Sequence, residues 1–349
     1  MKKISLLIVF MSLLIVAACG NEGVSQQDNV NDQNGANSEK KIELTYAFFA
    51  PANTFPAVQM EKWAEELEAR TNGRVKVNTF PGGSLLTAEN MYQGVANGIA
   101  DIGLSSTTYE PGRFPLLAIA DMPSGYPNAT VASKVLHQLV SEYPPEAFNN
   151  FKIITTFATE PSFIQSQLPI SNLNELKGKQ LRIAGAATPI MEKLGAAPVG
   201  MSQAEVPEAL QTGIVNGFVS SREVLQDLKL AEMVSYITDY PLTINTFVAV
   251  MNQDVWNSLP KDVQQVIDEL NAEMATFTGE YLDNHVKNSI KWSQQEHGVE
   301  VITLTESEKE TWDKILREMQ EDYVNSLEAQ GLPGKEFQEK LYELISQFN

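Results

Sequence analysis

Between residues 41 and 80 a strand pattern, a helix pattern and a second strand pattern follow one another directly, and that order constrains the fold more than any other feature. Residues 41–49 alternate, with Ile42, Leu44 and Tyr46 on one side, and residues 51–56 form a proline-bounded loop. Residues 57–71 then place Trp63, Ala64 and Leu67 on one helical face, with charges opposite. Asn72-Gly73 supplies a left-handed stop, and residues 74–80 alternate again through Val75, Val77 and Thr79. A strand that leaves through a helix and returns as a strand lies parallel to the first, so the chain is α/β with a parallel sheet.

The same plan occurs twice more. After Pro81-Gly82-Gly83, residues 88–97 read as a helix, Gly98 stops it, and residues 99–104 read as a strand. Much later Ser202 with Glu205 has the spacing of a capping box, residues 206–212 are helical, Gly213 stops them, and residues 214–219 return as a strand. Gly98-Ile99-Ala100-Asp101-Ile102-Gly103 and Gly213-Ile214-Val215-Asn216-Gly217-Phe218 are local echoes. Two lobes on one plan would produce them, as would two unrelated helix-to-strand turns.

The stretch between the echoes reads as strand-rich, with strands at 153–159, 163–167 and 180–184. Beyond them come a strand at 246–251, a helix at 261–294 broken at Gly279, and a strand at 299–304. Thr305 with Glu308 forms a second capping-box pattern that opens a helix to about residue 329, and a last helix covers 334–347. The spacing places lobe 1 mainly in 41–158 and lobe 2 mainly in 159–250, with 251–349 returning across both. Long helices joining two α/β lobes suit a hinged clamp.

The amino terminus carries a separate signal. Lys2 and Lys3 precede an apolar run, residues 4–16, interrupted only by Ser5 and Ser12. The run is too short to span about 30 Å of hydrocarbon and reads as an export signal covering residues 1–18. Val16-Ala17-Ala18-Cys19 resembles the lipobox of bacterial lipoproteins, which implies lipidation at Cys19, the single cysteine of the chain. Residues 19–40 then form a polar stretch of Asn, Gln, Asp, Gly and Ser, expected to be a flexible tether. Together these features imply membrane attachment through an N-terminal lipid, with the remaining domain on the extracytoplasmic side.

A formal charge of -19, which grows more negative if Lys2 and Lys3 are removed, argues against nucleic acid as a partner. No Gly-x-Ser-x-Gly elbow occurs. His137, His285 and His297 read as surface or packing residues, and no His or Cys spacing suggests a metal. The pattern points to capture rather than catalysis, without cofactor or metal.

Several segments resemble the solute-binding proteins of TRAP (tripartite ATP-independent periplasmic) transporters. They are Trp63-Ala64-Glu65-Glu66-Leu67 through Arg74-Val75-Lys76-Val77 with Phe80-Pro81-Gly82-Gly83, Leu176-Lys177-Gly178-Lys179-Gln180-Leu181-Arg182-Ile183, Leu194-Gly195-Ala196-Ala197-Pro198-Val199, and Glu208-Ala209-Leu210-Gln211-Thr212-Gly213. The resemblance implies a two-lobed periplasmic-binding-protein-like clamp with long hinge-spanning helices. It also implies a small organic acid as ligand and delivery to an ion-gradient-driven TRAP permease. The binding subunit of an ATP-driven importer would share the anchor and clamp, and a partner-binding sensory lipoprotein would share the anchor.

The family's substrate arginine falls on Arg182. By residue type alone Arg182 is also compatible with a surface arginine closing a strand, yet it precedes Gly185-Ala186-Ala187-Thr188-Pro189, where Thr188 is a plausible helix cap and Pro189 a first helical residue. Ligands of α/β sheets bind beyond the carboxyl ends of strands, and a guanidinium there can grip a carboxylate through two parallel bonds. The resemblance places further contacts at Phe49, Ser106, Tyr109, Ser162, Phe163, Gln203 and Ser220; by residue type alone the aromatic residues among them are also compatible with plain core. Rings and hydroxyls where relatives carry charges imply a monocarboxylate with an apolar or aromatic body, rather than a dicarboxylate or sugar acid. Arg222 is open between a second anion contact, a pair with Glu223, and solvent.

Overall fold

The computed structural model describes residues 41–349; Cys19 and the expected signal and tether lie outside the described residues. Eleven strands are described, and they form two sheets. The first sheet has the order β2-β1-β3-β10-β4, where β1 is Ile42–Phe48, β2 Val75–Phe80, β3 Ile102–Ser106, β4 Phe151–Ala158 and β10 Thr246–Asn252. The second has the order β11-β9-β5-β8-β6-β7, where β5 is Phe163–Ser166, β6 Gln180–Ile183, β7 Ala197–Gly200, β8 Gly217–Ser220, β9 Tyr236–Asp239 and β11 Glu300–Thr303. Each sheet, with its helices, forms one lobe.

The opening strand, helix and strand pair in parallel, Ile42 against Val75 through Ala47 against Phe80. Asn72 and Gly73 both adopt positive φ at the stop between them. The echo is architectural: β3 lies parallel beside β1, and β8 lies parallel beside β6. In both copies the glycine has positive φ, and the isoleucine after it donates its N–H back into the last helical turn, Ile99 to Gly94 O and Ile214 to Ala209 O, each at 2.9 Å. The Ser202 and Glu205 side chains form the reciprocal cap that their spacing predicts.

Strand β10 inserts between β3 and β4, antiparallel to both. The chain therefore crosses from the first sheet to the second between β4 and β5, and returns between β9 and β10. The first lobe has one continuous core in which Tyr46 meets Trp63 edge-on at 5.5 Å. In the second lobe, successive residues feed opposite faces of the sheet. Ile164 and Val219 join one cluster with Leu181, Ile183 and Trp312, while Phe163 and Phe218 join another with Val206, Leu225 and Ile237.

One helix, Lys261–His297, runs unbroken for about 55 Å at 1.5 Å per residue. Its first part packs into the first-lobe core through Ile267, Leu270, Met274 and Leu282. Near its end Ser289 Oγ donates to Arg222 O at 2.8 Å, and Trp292 packs on the second lobe. Gly279 does not break this helix. A Cβ there would lie 2.6 Å from Thr130 Cα, so the residue permits close crossing with the helix Ala129–Glu142, which the strand-rich reading of that stretch overlooks. One turn on, Asp283 accepts the N–H groups of Ala129 and Thr130 at 2.8 and 3.1 Å and so caps that second helix.

Two cap expectations also change. Thr188 lies inside its short helix and its hydroxyl donates to Gly185 O. Glu308 does not close a box with Thr305; its side chain accepts from Leu173 N and Trp312 Nε1, tying the helix Glu306–Ala329 to the second lobe.

The Gly279 crossing yields a test. Alanine has the better helix propensity by about 1 kcal/mol, yet Gly279→Ala forces the Thr130 backbone apart and should destabilise by roughly 1–3 kcal/mol. Urea unfolding should show a lower midpoint at unchanged slope; an equal or raised midpoint would refute the close-packing account.

Candidate functional site

Arg182 is the third residue of β6. Leu181 and Ile183 on either side point into the second-lobe core, so alternation sends Arg182 to the other face. It is 1% exposed. Nε and Nη2 donate to Met201 O at 3.0 and 2.7 Å, Nη1 donates to Gln203 Oε1 at 2.6 Å, and Nη2 donates to Tyr109 Oη at 3.3 Å. Every one of these acceptors is neutral. Burial pulls the guanidinium below its usual pKa, with Tyr109 and then Glu205 opposing. A buried charge without an ionised partner is costly to hold.

Tyr109 comes from the first lobe. It ends a short turn, Thr107–Tyr109, directly after β3, and Ser106 caps that turn by accepting from Thr108 N. Phe49, just beyond β1, meets the Tyr109 ring edge-on at 5.1 Å. The Tyr109 hydroxyl also accepts from Gln203 N at 3.1 Å, so one phenol bonds both the guanidinium and the backbone of the opposite lobe. Ser220, ending β8, donates to Gln203 Oε1 at 3.1 Å. Gly185 lies against Pro111 and Thr108 O of the first lobe, where a Cβ would sit 3.4 Å from Pro111 Cγ.

Between the lobes lies a narrow cavity of about 40 Å³. Phe49, Tyr109, Gln203 and Ser220 line it, with Arg182 directly behind Tyr109 and Gln203. Phe48, Phe55 and Phe247 contribute apolar wall, and Thr159 and Asn245 come from the two crossovers. No lysine or arginine lines it. Two roomier hollows of about 470 and 500 Å³, beside His137 and beside Arg113, lie on the first lobe and gather no polar groups from both lobes.

The other expected residues sit elsewhere. Ser106 is buried beneath the cavity wall and acts on Tyr109 through the turn it caps. Ser162 is buried in the crossover, and its N–H donates to Thr243 O at 2.6 Å. Phe163 lies beneath Arg222, whose guanidinium carbon is 3.7 Å from the ring centre. Arg222 resolves to none of its three open readings: its Nε and Nη2 grip Glu160 at 3.0 and 2.8 Å, and its own N–H joins them at 2.7 Å.

Three ionisable residues near the cavity escape a sequence reading. Glu223 and Asp227, one helical turn apart, line it, and His285 Nε2 of the long helix lies 2.5 Å from Asp227 Oδ1. His285 is thus more than a packing residue, whereas His297 does pack, against Trp292. The Ser220-Ser221-Arg222-Glu223 run directly after a strand end was the available signal. Burial, then the nearby Asp227, pushes Glu223 up to about 8. Burial also holds Asp227 above the usual carboxylate range although His285 pulls the other way, and the hydrogen bond to Asp227 raises His285.

The arrangement defines a class: a hinged clamp whose interlobe wall offers one anion-seeking group amid aromatic rings. Residues 46–327 match the family described as bacterial extracellular solute-binding protein, family 7 (DctP), and the chain belongs to that family. It is a TRAP-type solute-binding protein. Among solved structures, it is 41% identical to a TRAP periplasmic solute-binding protein of Desulfovibrio salexigens DSM2638, over 88% of this chain and 97% of that one, with a TM-score of 0.79. It is 25% identical, over 89% and 99%, with a TM-score of 0.84, to a marine-metagenome TRAP solute-binding protein specific for aromatic acid ligands and co-crystallised with 3-hydroxybenzoate. A curated solute-binding protein of Sulfitobacter sp. (strain NAS-14.1) is 27% identical over 78% of this chain and 84% of its own length.

The buried acids set the pH response of the fold. Asp121, pushed up to about 7 by burial despite accepting from Thr246, acts in the same sense as Glu223 and His285. From about pH 4.5 to 8 the folded chain holds protons at the two acids, and above about pH 6.5 at His285, that the unfolded chain has lost, so stability falls as pH rises. His137, lowered by burial, opposes this below about pH 6.5. The unfolding temperature should drop by about 3 °C or more between pH 5 and 8, and Asp121→Asn should flatten the slope. A rise across that window would contradict the assignment.

Proposed function

We propose that this protein captures a small monocarboxylate with an apolar or aromatic body, and delivers it to a TRAP permease. The observation that carries the reading is Arg182: a buried guanidinium at the carboxyl end of a strand, held by neutral acceptors from both lobes. A ligand carboxylate would supply the missing counter-charge, displacing Gln203 Oε1 or the Tyr109 hydroxyl and gaining charge-assisted bonds. Each such bond contributes about 1.5–3 kcal/mol, against about 8 kcal/mol for micromolar affinity, so Phe49, Phe55, Phe247 and the Tyr109 ring would supply much of the remainder by apolar contact.

The same wall, which has no lysine or arginine, supports a single carboxylate. A dicarboxylate would call for a second cation, and Arg222 is already engaged with Glu160 and Phe163. The relatives support the reading. The marine protein is specific for aromatic acids, and in the Desulfovibrio structure the C-terminus of a symmetry mate, a group that ends in a carboxylate, is bound in the ligand-binding site. The cavity is too narrow for such a ligand with the lobes as they stand, so admission requires the lobes to part. Upstream, Cys19 carries the lipid anchor and residues 20–40 the tether. No described helix is long and apolar enough to cross a membrane.

Calorimetric titration with benzoate, phenylacetate and succinate tests the ligand class, and the monocarboxylates should bind more tightly. Arg182→Ala should abolish binding while leaving the circular dichroism spectrum unchanged. Arg182→Lys should weaken it by roughly 10- to 100-fold, because an ammonium cannot reproduce the planar fork. Wild-type affinity in either variant would remove Arg182 from the site. Membrane fractionation tests the anchor: Cys19→Ser should release the protein, and continued membrane retention would disprove lipidation there.

A further inference from the structure

Glu223 sits on the cavity wall at 2% exposure, and only half of its carboxyl group is engaged. Oε1 accepts from Ser221 Oγ at 2.7 Å, while Oε2 has no hydrogen-bond partner among the described residues. Asp227, one turn further along the same wall, is better served: Oδ1 meets His285 and the Phe55 N–H faces the carboxylate, although Oδ2 has no well-aligned hydrogen bond among the described residues. Holding the 221–224 turn needs one acceptor oxygen, which a serine or an amide could supply as well. An unengaged Glu223 oxygen on the wall of a binding cavity, with Asp227 one helical turn away, is not explained by that turn.

His285 meets Asp227 only, and no lysine or arginine lines the cavity to answer Glu223. Arg222 is next to Glu223 in the chain, yet its guanidinium is turned to Glu160. Arg182 is engaged with Met201, Gln203 and Tyr109. The rest of the surrounding wall is largely rings from Phe48, Phe49, Phe55 and Phe247. A second carboxylate or a phosphate placed here would find no lysine or arginine to balance its charge.

Resting on the carboxylate reading above, we infer that the solute bears, besides its carboxylate, a hydrogen-bond donor, a hydroxyl or an ammonium, received by the free oxygen of Glu223 with Asp227 one helical turn away. Glu223 is then a specificity-determining residue. With its pKa raised to about 8, it is a neutral acid at pH 7 and can both accept from and donate to a hydroxyl. An ammonium would instead draw off its proton and pair with the carboxylate.

Titration at pH 7 with matched probes tests this: benzoate, 3-hydroxybenzoate, 3-methoxybenzoate and 3-(aminomethyl)benzoate, with phenylacetate against mandelate. At least one donor-bearing probe should bind about tenfold or more tightly than its donor-free parent, with the methoxy compound showing no gain. The hydroxyl and ammonium arms tell the two donors apart. In Glu223→Leu the ratio of donor-bearing to parent affinity should fall toward one, whatever happens to the absolute values. Should that variant fail to fold, Glu223→Gln, which keeps the shape, should change the ratio at least about threefold. Parents that bind without any gain from a donor, or a gain that survives both substitutions, would overturn the assignment of Glu223 alone. Failure of every probe to bind the wild type would overturn the carboxylate reading and this inference together.

Discussion

A guanidinium withdrawn from water without an ionised partner is the constraint around which the two lobes are arranged. The donors of Arg182 are met by a backbone carbonyl, an amide and a phenol, none of them ionised. Two of those acceptors come from the segment after β7 and one from the far lobe, so the environment of the charge changes whenever the lobes move. The neutral acceptors are weaker partners than a carboxylate. On the proposed reading they are place-holders that satisfy the donors between rounds of capture, and the phenol of Tyr109 serves at the same time as a bridge between lobes.

The crossovers explain why the lobes are both joined and separable. Glu160, in the first crossing, binds Arg222 at the end of β8 and holds it flat on Phe163. That pair is a fixture of the hinge, and it removes from the cavity the one other arginine that β8 brings near. The acidic wall beyond it follows from the same geometry. With Arg222 turned to Glu160, Glu223 faces the cavity with no lysine or arginine in its lining to compensate it, while Asp227 is met by His285.

Much of the architecture was legible because it rests on local periodicity. Strand, helix and strand at 41–80 and the paired echoes at Gly98 and Gly213 follow from alternation, helical stripes and left-handed glycines, all of which survive tertiary packing. The exceptions are places where contact overrides propensity. Gly279 reads as a helix breaker until Thr130 is found against it, and Glu308 reads as a cap until Leu173 and Trp312 claim it. The helix Ala129–Glu142 has its apolar residues at helical spacing and an Asn128 cap, so that signal was present and misread. Arg182 stood out through resemblance and its strand-end position. Glu223, Asp227 and His285 did not, since a turn and a distant helix meet there only after the chain has crossed between lobes twice.

The long helix gives that meeting a mechanical meaning. Its early turns are embedded in one half of the molecule, whereas Ser289 and His285 hold the very loop that carries Arg222, Glu223 and Asp227. On the proposed reading, parting the halves would strain that rod near the wall that carries Glu223 and Asp227. Letting the solute go and losing the wall that selects it would then be coupled, and a half-open form would keep the clamp while discriminating less.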